Sequence, residues 1–386
     1  MKSSETVRRP RNLRLRIAGF SREVGEPRVP LIEPDGVPAM QAIKSDVMTI
    51  DRPLMEMTAA ARAAMVDPAR ATIVGDEADP RFELFHAASS LCSQKVRTVL
   101  HEKRLSYRSN EMIILGSMGS EGLIPAEHYA PAYVRLRLIA GRELDRPFVA
   151  GYSGRTSVET EGFDPCVVPL LVDHQGRRVI ADSLRICCYL DALSRETIQL
   201  VPQDPDAMAE VMRQVGIVDR IPNTALLYGF HPDDDRRPDA LRTTMATVYE
   251  HKLMALEAMI SANAHEPELI AAYRAKIAKE AGGQSVRHDA AFQRAARNQV
   301  GELLKDLDGA LNGRSMYLDG DSFSLADAVW GVNLVRLAYL GLAPMWDEFP
   351  NVARYFETLA ERPSLRKEAI RASIDSLPHS EALAAL

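Results

Sequence analysis

The sequence predicts an α/β sheet domain that feeds an all-helical domain, and three observations predict it. Between residues 80 and 200, short apolar runs bounded by turn residues alternate with segments of helical period. From Ala207 onward only the helical period persists. The chain has 386 residues, more than one hydrophobic core usually holds.

Each element follows from its own residues. Phe82-Glu83-Leu84-Phe85-His86 is an aromatic-rich strand, and the small residues Ala87, Ala88, Ser89 and Ser90 come next. A helix is expected from about Cys92 to Arg104, because Val96, Val99 and Leu100 share one face at i, i+3, i+4. A second strand is expected over 107–114. The Gly-rich stretch 116–163 reads as a long insertion holding one helix, over 128–139. Val167-Val168-Pro169-Leu170-Leu171-Val172 reads as a strand with a proline inside it. Asp173-His174-Gln175-Gly176 supplies turn chemistry, and Arg178-Val179-Ile180 returns as the hairpin partner. A helix then opens at Asp182-Ser183 with Ile186, Leu190 and Leu193 on one face. In the helical half, Phe292, Ala296, Val300, Leu303, Leu307 and Leu311 form the longest stripe, and Ser324 with Asp327 forms a capping pair. Residues 1–79 read as a largely irregular extension broken by prolines, with helical character only over 55–65. The chain is therefore divided into 1–79, a sheet domain over 80–200 and a helical domain over 207–375.

Composition narrows the function. A net charge of −6 gives no global attraction to nucleic acid or to an anionic membrane, and no apolar run approaches 18 residues. The first 22 residues hold seven Lys or Arg and one acid, Glu5. Arginines interrupt every candidate signal core, although an Arg-rich, acid-poor start also suits an organelle transit peptide. The four cysteines, Cys92, Cys166, Cys187 and Cys188, are too scattered for a disulfide framework. A reducing compartment, the cytoplasm, is expected. No metal is expected, since the nine histidines are dispersed without metal-ligand spacing.

Three features carry chemistry. Cys92 stands at a strand-to-helix junction, where unpaired N–H groups and the macrodipole favour an anion. Ser90 and Ser93 flank it, and Lys95 and Arg97 are near in sequence. Without that context a lone cysteine reads as a small buried hydrophobe. Pro169 is either an edge proline or the second residue of a cis Val168-Pro169 bond that turns the Val168 backbone toward a ligand. Asp182-Ser183 is either a simple N-cap or a carboxylate-binding helix start. Together they describe one site. Cys166, Cys187 and Cys188 read as core packing, and Asp233-Asp234-Asp235-Arg236-Arg237 as an exposed, self-compensating loop.

Across about 80–375 these residues resemble the glutathione transferase superfamily. Ser90-Leu91-Cys92-Ser93-Gln94-Lys95 is similar to the S-x-C-S-x-K segment of its hydroquinone reductive dehalogenase branch. Supporting stretches are 81–86 (RFELFH), 133–138 (YVRLRL), 161–165 (EGFDP), 226–229 (LLYG) and 235–238 (DRRP). The resemblance implies a thioredoxin-like first domain that binds glutathione and an all-α second domain that shapes an aromatic-substrate pocket. It implies Cys92 as the essential thiol and Ser90 as the residue that positions or activates the glutathione sulfur. Val168 and Pro169 would hold the tripeptide backbone, Asp182 and Ser183 its γ-glutamyl end, with Lys95 counted among the glutathione-binding residues. The implied reaction is glutathione-dependent removal of halide from a chlorinated hydroquinone through a Cys–glutathione mixed disulfide. Aryl-ether cleavage or thiol transfer on a glutathionyl conjugate is the alternative, and a noncatalytic binding protein the second. Glutathione and a small aromatic are the expected partners; nucleic acid and membrane are not, and fold analogy allows a homodimer.

Overall fold

Alternation along the central strands decides which layer each side chain enters. The computed structural model describes residues 54–386, apart from 121, 157, 195, 196 and 315. The Arg-rich start and the stretch to residue 53 therefore lie outside the described residues. The first elements are α1 (Leu54–Ala63), β1 (Ala71–Val74), β2 (Phe82–His86), α2 (Leu91–Glu102) and β3 (Tyr107–Glu111). The insertion supplies β4 (Ser117–Gly119), β5 (Gly122–Ile124), a 3-10 turn at Glu127–Tyr129, α3 (Pro131–Leu144) and α4 (Val158–Glu161). The hairpin β6 (Leu170–Asp173) and β7 (Arg178–Ala181) and helix α5 (Ser183–Leu193) complete the sheet domain.

The main sheet runs β1-β3-β2-β6-β7, with β2 parallel to β3 and every other pair antiparallel. β2 is central and buried along its whole length. Leu84, Leu171 and Ile180 enter one cluster with Val96, Val99, Ile186 and Leu190 of α2 and α5. Phe85, Leu170, Val172 and Val179 enter a second cluster with Tyr133, Val134 and Leu138 of α3. A period of two thus sends neighbours on one strand to opposite helical layers.

Three features differ from the sequence reading. Ala71–Val74, inside the stretch read as irregular, is an edge strand on β3, and α1 packs its buried Ala61 toward α3. Pro169 does not lie inside β6. The ladder begins at Leu170, paired with Ala181, because a proline has no N–H to donate. The insertion holds more than one helix, and its main helix runs Pro131–Leu144, with proline at the first turn where its missing N–H costs nothing.

The helical half comprises α6 (Pro205–Val218), α7 (Asn223–Tyr228), α8 (Asp239–Ala262), α9 (Pro267–Val286), α10 (Ala290–Leu311), α11 (Leu325–Tyr339) and α12 (Pro350–Ala360). Short turns follow: α13 (Pro363–Leu365), a π-helical segment at Arg366–Arg371, α14 (Ala372–Ser376) and α15 (Glu381–Ala384). α11 is buried along its entire length and is the axis of this half. Its start carries the expected capping box, with Ser324 N–H donating to Asp327 at 2.8 Å. None of the described helices is long and apolar enough to cross a membrane.

Candidate active site

The site is assembled from three chain segments that the sheet brings to one end. The first is the start of α2. Ser90 is its N-cap, extended at φ −78° and ψ 120°, and its Oγ accepts from Ser93 N–H at 3.4 Å. Leu91 therefore opens the helix and Cys92 sits in its first turn, among the unpaired N–H groups. Cys92 is half-buried, and its Sγ lies 3.8 Å from Thr156 Oγ1 of the insertion. Ser93 does not face the sulfur. Its buried hydroxyl accepts from Ala87 N–H at 3.3 Å.

The cations near Cys92 in sequence are spent elsewhere. Lys95 is 5% exposed, sits 3.7 Å from Asp219 and stays outside the cavity lining. Arg97 is buried with both its Nε and Nη2 donating to Glu368 at 2.9 Å. The guanidinium that does reach the thiol side comes from α11. Arg336 Nη2 donates to Ser89 O at 2.5 Å, while its buried Nε has no partner among the described residues. Burial lowers its pKa, with Tyr339, Tyr228 and Cys92 acting in the opposite sense. A guanidinium so lowered still stays protonated at neutral pH.

The second segment is the loop before β6, where the Val168-Pro169 bond is cis. The insertion fastens this loop from behind. Tyr133 Oη donates to Val167 O at 2.6 Å, and Arg137 donates to Pro169 O and Asp164 O, each at 2.8 Å. Among the described residues nothing takes the backbone N–H or C=O of Val168, which remains open at the cavity edge. The third segment is the start of α5. Asp182 has φ 76°, a conformation that aspartate tolerates better than most residues, and its Oδ1 accepts from Leu184 and Arg185 N–H at 3.1 Å. Burial raises its pKa, opposed by the Arg185 N–H.

Ser90, Cys92, Val168, Pro169, Asp182 and Ser183 all line one cavity of about 190 Å³. Of the residues that the resemblance assigned to the site, Lys95 alone is absent from its wall. The far side is built from the helical half and the insertion: Tyr152, Tyr228, Tyr249 and a buried chain of charges. In that chain Lys252 pairs with Glu280 (3.0 Å), Glu280 with Lys276 (2.9 Å), Lys276 with Asp164 (2.8 Å) and Lys279 with Glu161 (2.5 Å). Burial pushes the Glu280 carboxyl up, but Lys252 and Lys276 outweigh it and hold it down at about 2.

The arrangement offers an anion-favouring helix start with a thiol, an unpaired backbone edge and a capped helix start, facing an aromatic wall. The sequence models of the glutathione S-transferase N-terminal and C-terminal domains match residues 89–193 and 272–358. The chain is 41% identical over 298 residues to a 2,5-dichlorohydroquinone reductive dechlorinase of Sphingobium indicum, covering 76% of this chain and 83% of that one. This chain belongs to the glutathione S-transferase family. It is also 24% identical over 287 residues to a tetrachloro-p-hydroquinone reductive dehalogenase of Sphingobium chlorophenolicum, covering 74% of this chain and 94% of the relative. Among solved structures, a theta class glutathione S-transferase of Xanthomonas axonopodis pv. citri with glutathione bound aligns at 20% identity and a TM-score of 0.44. That alignment covers 75% of this chain and 98% of that one.

Several site residues of this glutathione S-transferase were missed from sequence although their segments had been noticed. Tyr228 lies in LLYG, Tyr133 and Arg137 in YVRLRL, and Glu161, Gly162 and Asp164 in EGFDP. Gly162 has φ 89°, and a Cβ there would meet Pro147 O at 2.8 Å, so a side chain does not fit. Arg237 of DRRP serves structure: its Nη1 donates to Leu227 O at 2.5 Å and its guanidinium lies 4.7 Å from the Phe230 ring. Arg336 and Lys252 carried no local signal, since each sits in an ordinary helical stretch.

Proposed function

We propose that this protein is a glutathione-dependent reductive dehalogenase acting on a chlorinated hydroquinone, with Cys92 as its redox thiol. The observation that carries this reading is that Cys92, Ser90, the open Val168 backbone and the start of α5 line one cavity. The names of the relatives supply the substrate class. Glutathione fits the residues present: a tripeptide backbone pairs with the Val168 edge as an added strand, and its γ-glutamyl end meets Asp182 and Ser183. Ser90 Oγ, beside Cys92 at the helix start, is the hydroxyl for the glutathione sulfur.

The reaction follows in three steps. The thiolate of a first glutathione attacks the ring carbon of a hydroquinone tautomer, and the C–Cl electron pair leaves as chloride. Cys92 thiolate then attacks the sulfur of the aryl thioether. The S–C(aryl) pair returns to the ring, which takes up a proton, and a Cys92–glutathione disulfide remains. A second glutathione thiolate attacks that disulfide, giving oxidised glutathione and free Cys92. The balance is one aryl chloride and two glutathiones in; one dechlorinated hydroquinone, one oxidised glutathione and HCl out. A reducing compartment such as the cytoplasm supplies the second thiol.

The test is turnover on a chlorohydroquinone panel with chloride, oxidised glutathione and aryl conjugate all measured. Wild type is expected to yield chloride and oxidised glutathione in equal amounts. Cys92→Ser is expected to release chloride but accumulate the glutathionyl hydroquinone. Free dechlorinated product formed by that variant at the wild-type rate overturns the scheme. Conjugate exchange or ether cleavage without chloride moves the assignment to the aryl-ether or thiol-transfer class.

A further inference from the structure

The buried ion chain on the far wall has an unspent end. Lys276 bridges Asp164 and Glu280, and Lys279 bridges Glu161 and Asp164, the latter at 3.5 Å. Three lysines thus meet three carboxylates, so the chain is neutral overall. Lys252 is its terminal cation. It is 6% exposed, and its ion pair among the described residues is with Glu280. An ammonium has three donors, and the rest of this one faces aromatic rings. Nζ lies 4.1 Å from the centroid of Tyr228 and 5.3 Å from that of Tyr249, two rings that are themselves 5.6 Å apart.

A second group with an atom unpartnered among the described residues lines the same cavity. His128 belongs to the 3-10 turn at Glu127–Tyr129, which packs against α8. It is 5% exposed, and its buried Nδ1 has no hydrogen-bond partner among the described residues. Burial, with Lys276 and Lys252 adding to it, lowers its pKa to about 3, so the ring is neutral and one nitrogen accepts. A buried acceptor without a partner is costly and rare in a native fold. An unspent cationic donor and an unspent neutral acceptor, bordered by two tyrosine rings, fit one chemical group: a phenolic hydroxyl, which accepts with its oxygen and donates its hydrogen.

We propose that Lys252 and His128 form the ring-hydroxyl site of this cavity, with Lys252 donating to the phenolic oxygen, His128 Nδ1 accepting its proton in a hydrogen bond, and Tyr228 and Tyr249 packing on the ring. The site deepens the dehalogenase reading, on which it rests for the rest of the substrate. It assigns the hydroxyl that meets the Lys252 side of the cavity.

The test measures the affinity of the glutathione-loaded protein for phenol and for anisole, its methyl ether, by calorimetric titration, alongside chloride release. Wild type is expected to favour phenol by about tenfold or more, the worth of a charge-assisted hydrogen bond. Lys252→Met and His128→Phe are each expected to erase most of that preference while leaving anisole affinity and glutathione affinity unchanged. Lys252→Arg is expected to restore it. His128 stands outside the ion chain, so its variant carries the test if removing Lys252 unfolds the protein. Equal affinity of wild type for phenol and anisole, or an intact preference in His128→Phe, overturns the site, including the case in which a resident water satisfies Nδ1. If the preference behaves as expected but no chlorohydroquinone releases chloride, the site stands and the dehalogenase reading falls. Chloride release with an intact preference in both variants has the opposite meaning.

Discussion

At the residue scale, proximity in sequence proved a poor guide to which charge meets the thiol. Lys95 and Arg97 are three and five residues from Cys92, yet Lys95 is taken by Asp219, and helical rotation carries Arg97 to Glu368. Arg336 lies far along the chain, and its Nη2 bond to Ser89 O holds it beside the loop that leads into Cys92. On the dehalogenase reading proposed above, its unpartnered Nε is the donor offered to charge that develops on sulfur or on a departing group. Removing one preorganised donor of this kind typically costs about 10²-fold or more in turnover. Arg336→Met is therefore expected to lower kcat for chloride release by about that factor. Arg336→Lys, which keeps the charge but not the forked geometry, is expected to recover only part of it. Steady-state kinetics on both variants checks this, and a wild-type kcat in Arg336→Met removes Arg336 from the chemistry.

At the element scale, the insertion does work that its sequence pattern did not disclose. The sequence reading places a helix over 128–139, and α3 is there over Pro131–Leu144. What α3 does depends on two hydrogen bonds that no period encodes: Tyr133 to Val167 O and Arg137 to Pro169 O. These fasten the loop on both sides of the open Val168 backbone. Tyr133→Phe keeps the buried ring and orphans one carbonyl, for an expected loss of about 1–2 kcal/mol in denaturant unfolding. It is also expected to raise KM for glutathione more than it changes kcat. An unchanged KM would separate the clamp from ligand binding. The sheet core, the Cys92 helix start, the hairpin and the Ser324 capping box were legible because each is written in local period or cap chemistry. Strand β1 was not, since four residues at a sheet edge, none of them buried, leave no periodic signature. Pro169 was drawn into the strand by its apolar neighbours, whereas the missing N–H puts the ladder's first pair one residue later.

At the scale of the whole molecule, the ion chain ties the insertion, through Glu161 and Asp164, to α8 and α9, through Lys252, Lys276, Lys279 and Glu280. Glu280 and His128 both respond to acid, with the same sign. Glu280 has a folded pKa of about 2, below the ordinary 4.5, so its contribution is complete above pH 4.5 and is lost as pH falls toward 2. His128 is held neutral with a folded pKa of about 3, against an ordinary 6.5. The unfolded chain binds its proton below pH 6.5 while the folded one does not, so stability is whole above 6.5 and declines on the way to 3. His86, lowered by burial and by Arg97, adds in the same direction. Loss of stability is therefore expected to begin just below pH 6.5, before Glu280 contributes. Its slope is about 1.4 kcal/mol per pH unit for each histidine kept neutral. Urea unfolding from pH 8 to 4.5 measures it, and His128→Phe is expected to remove about half the slope, leaving the share of His86. A variant whose stability falls with pH as steeply as wild type would mean that His128 already shares a proton in the folded protein. That finding would also take away the neutral acceptor on which recognition of a ring hydroxyl depends.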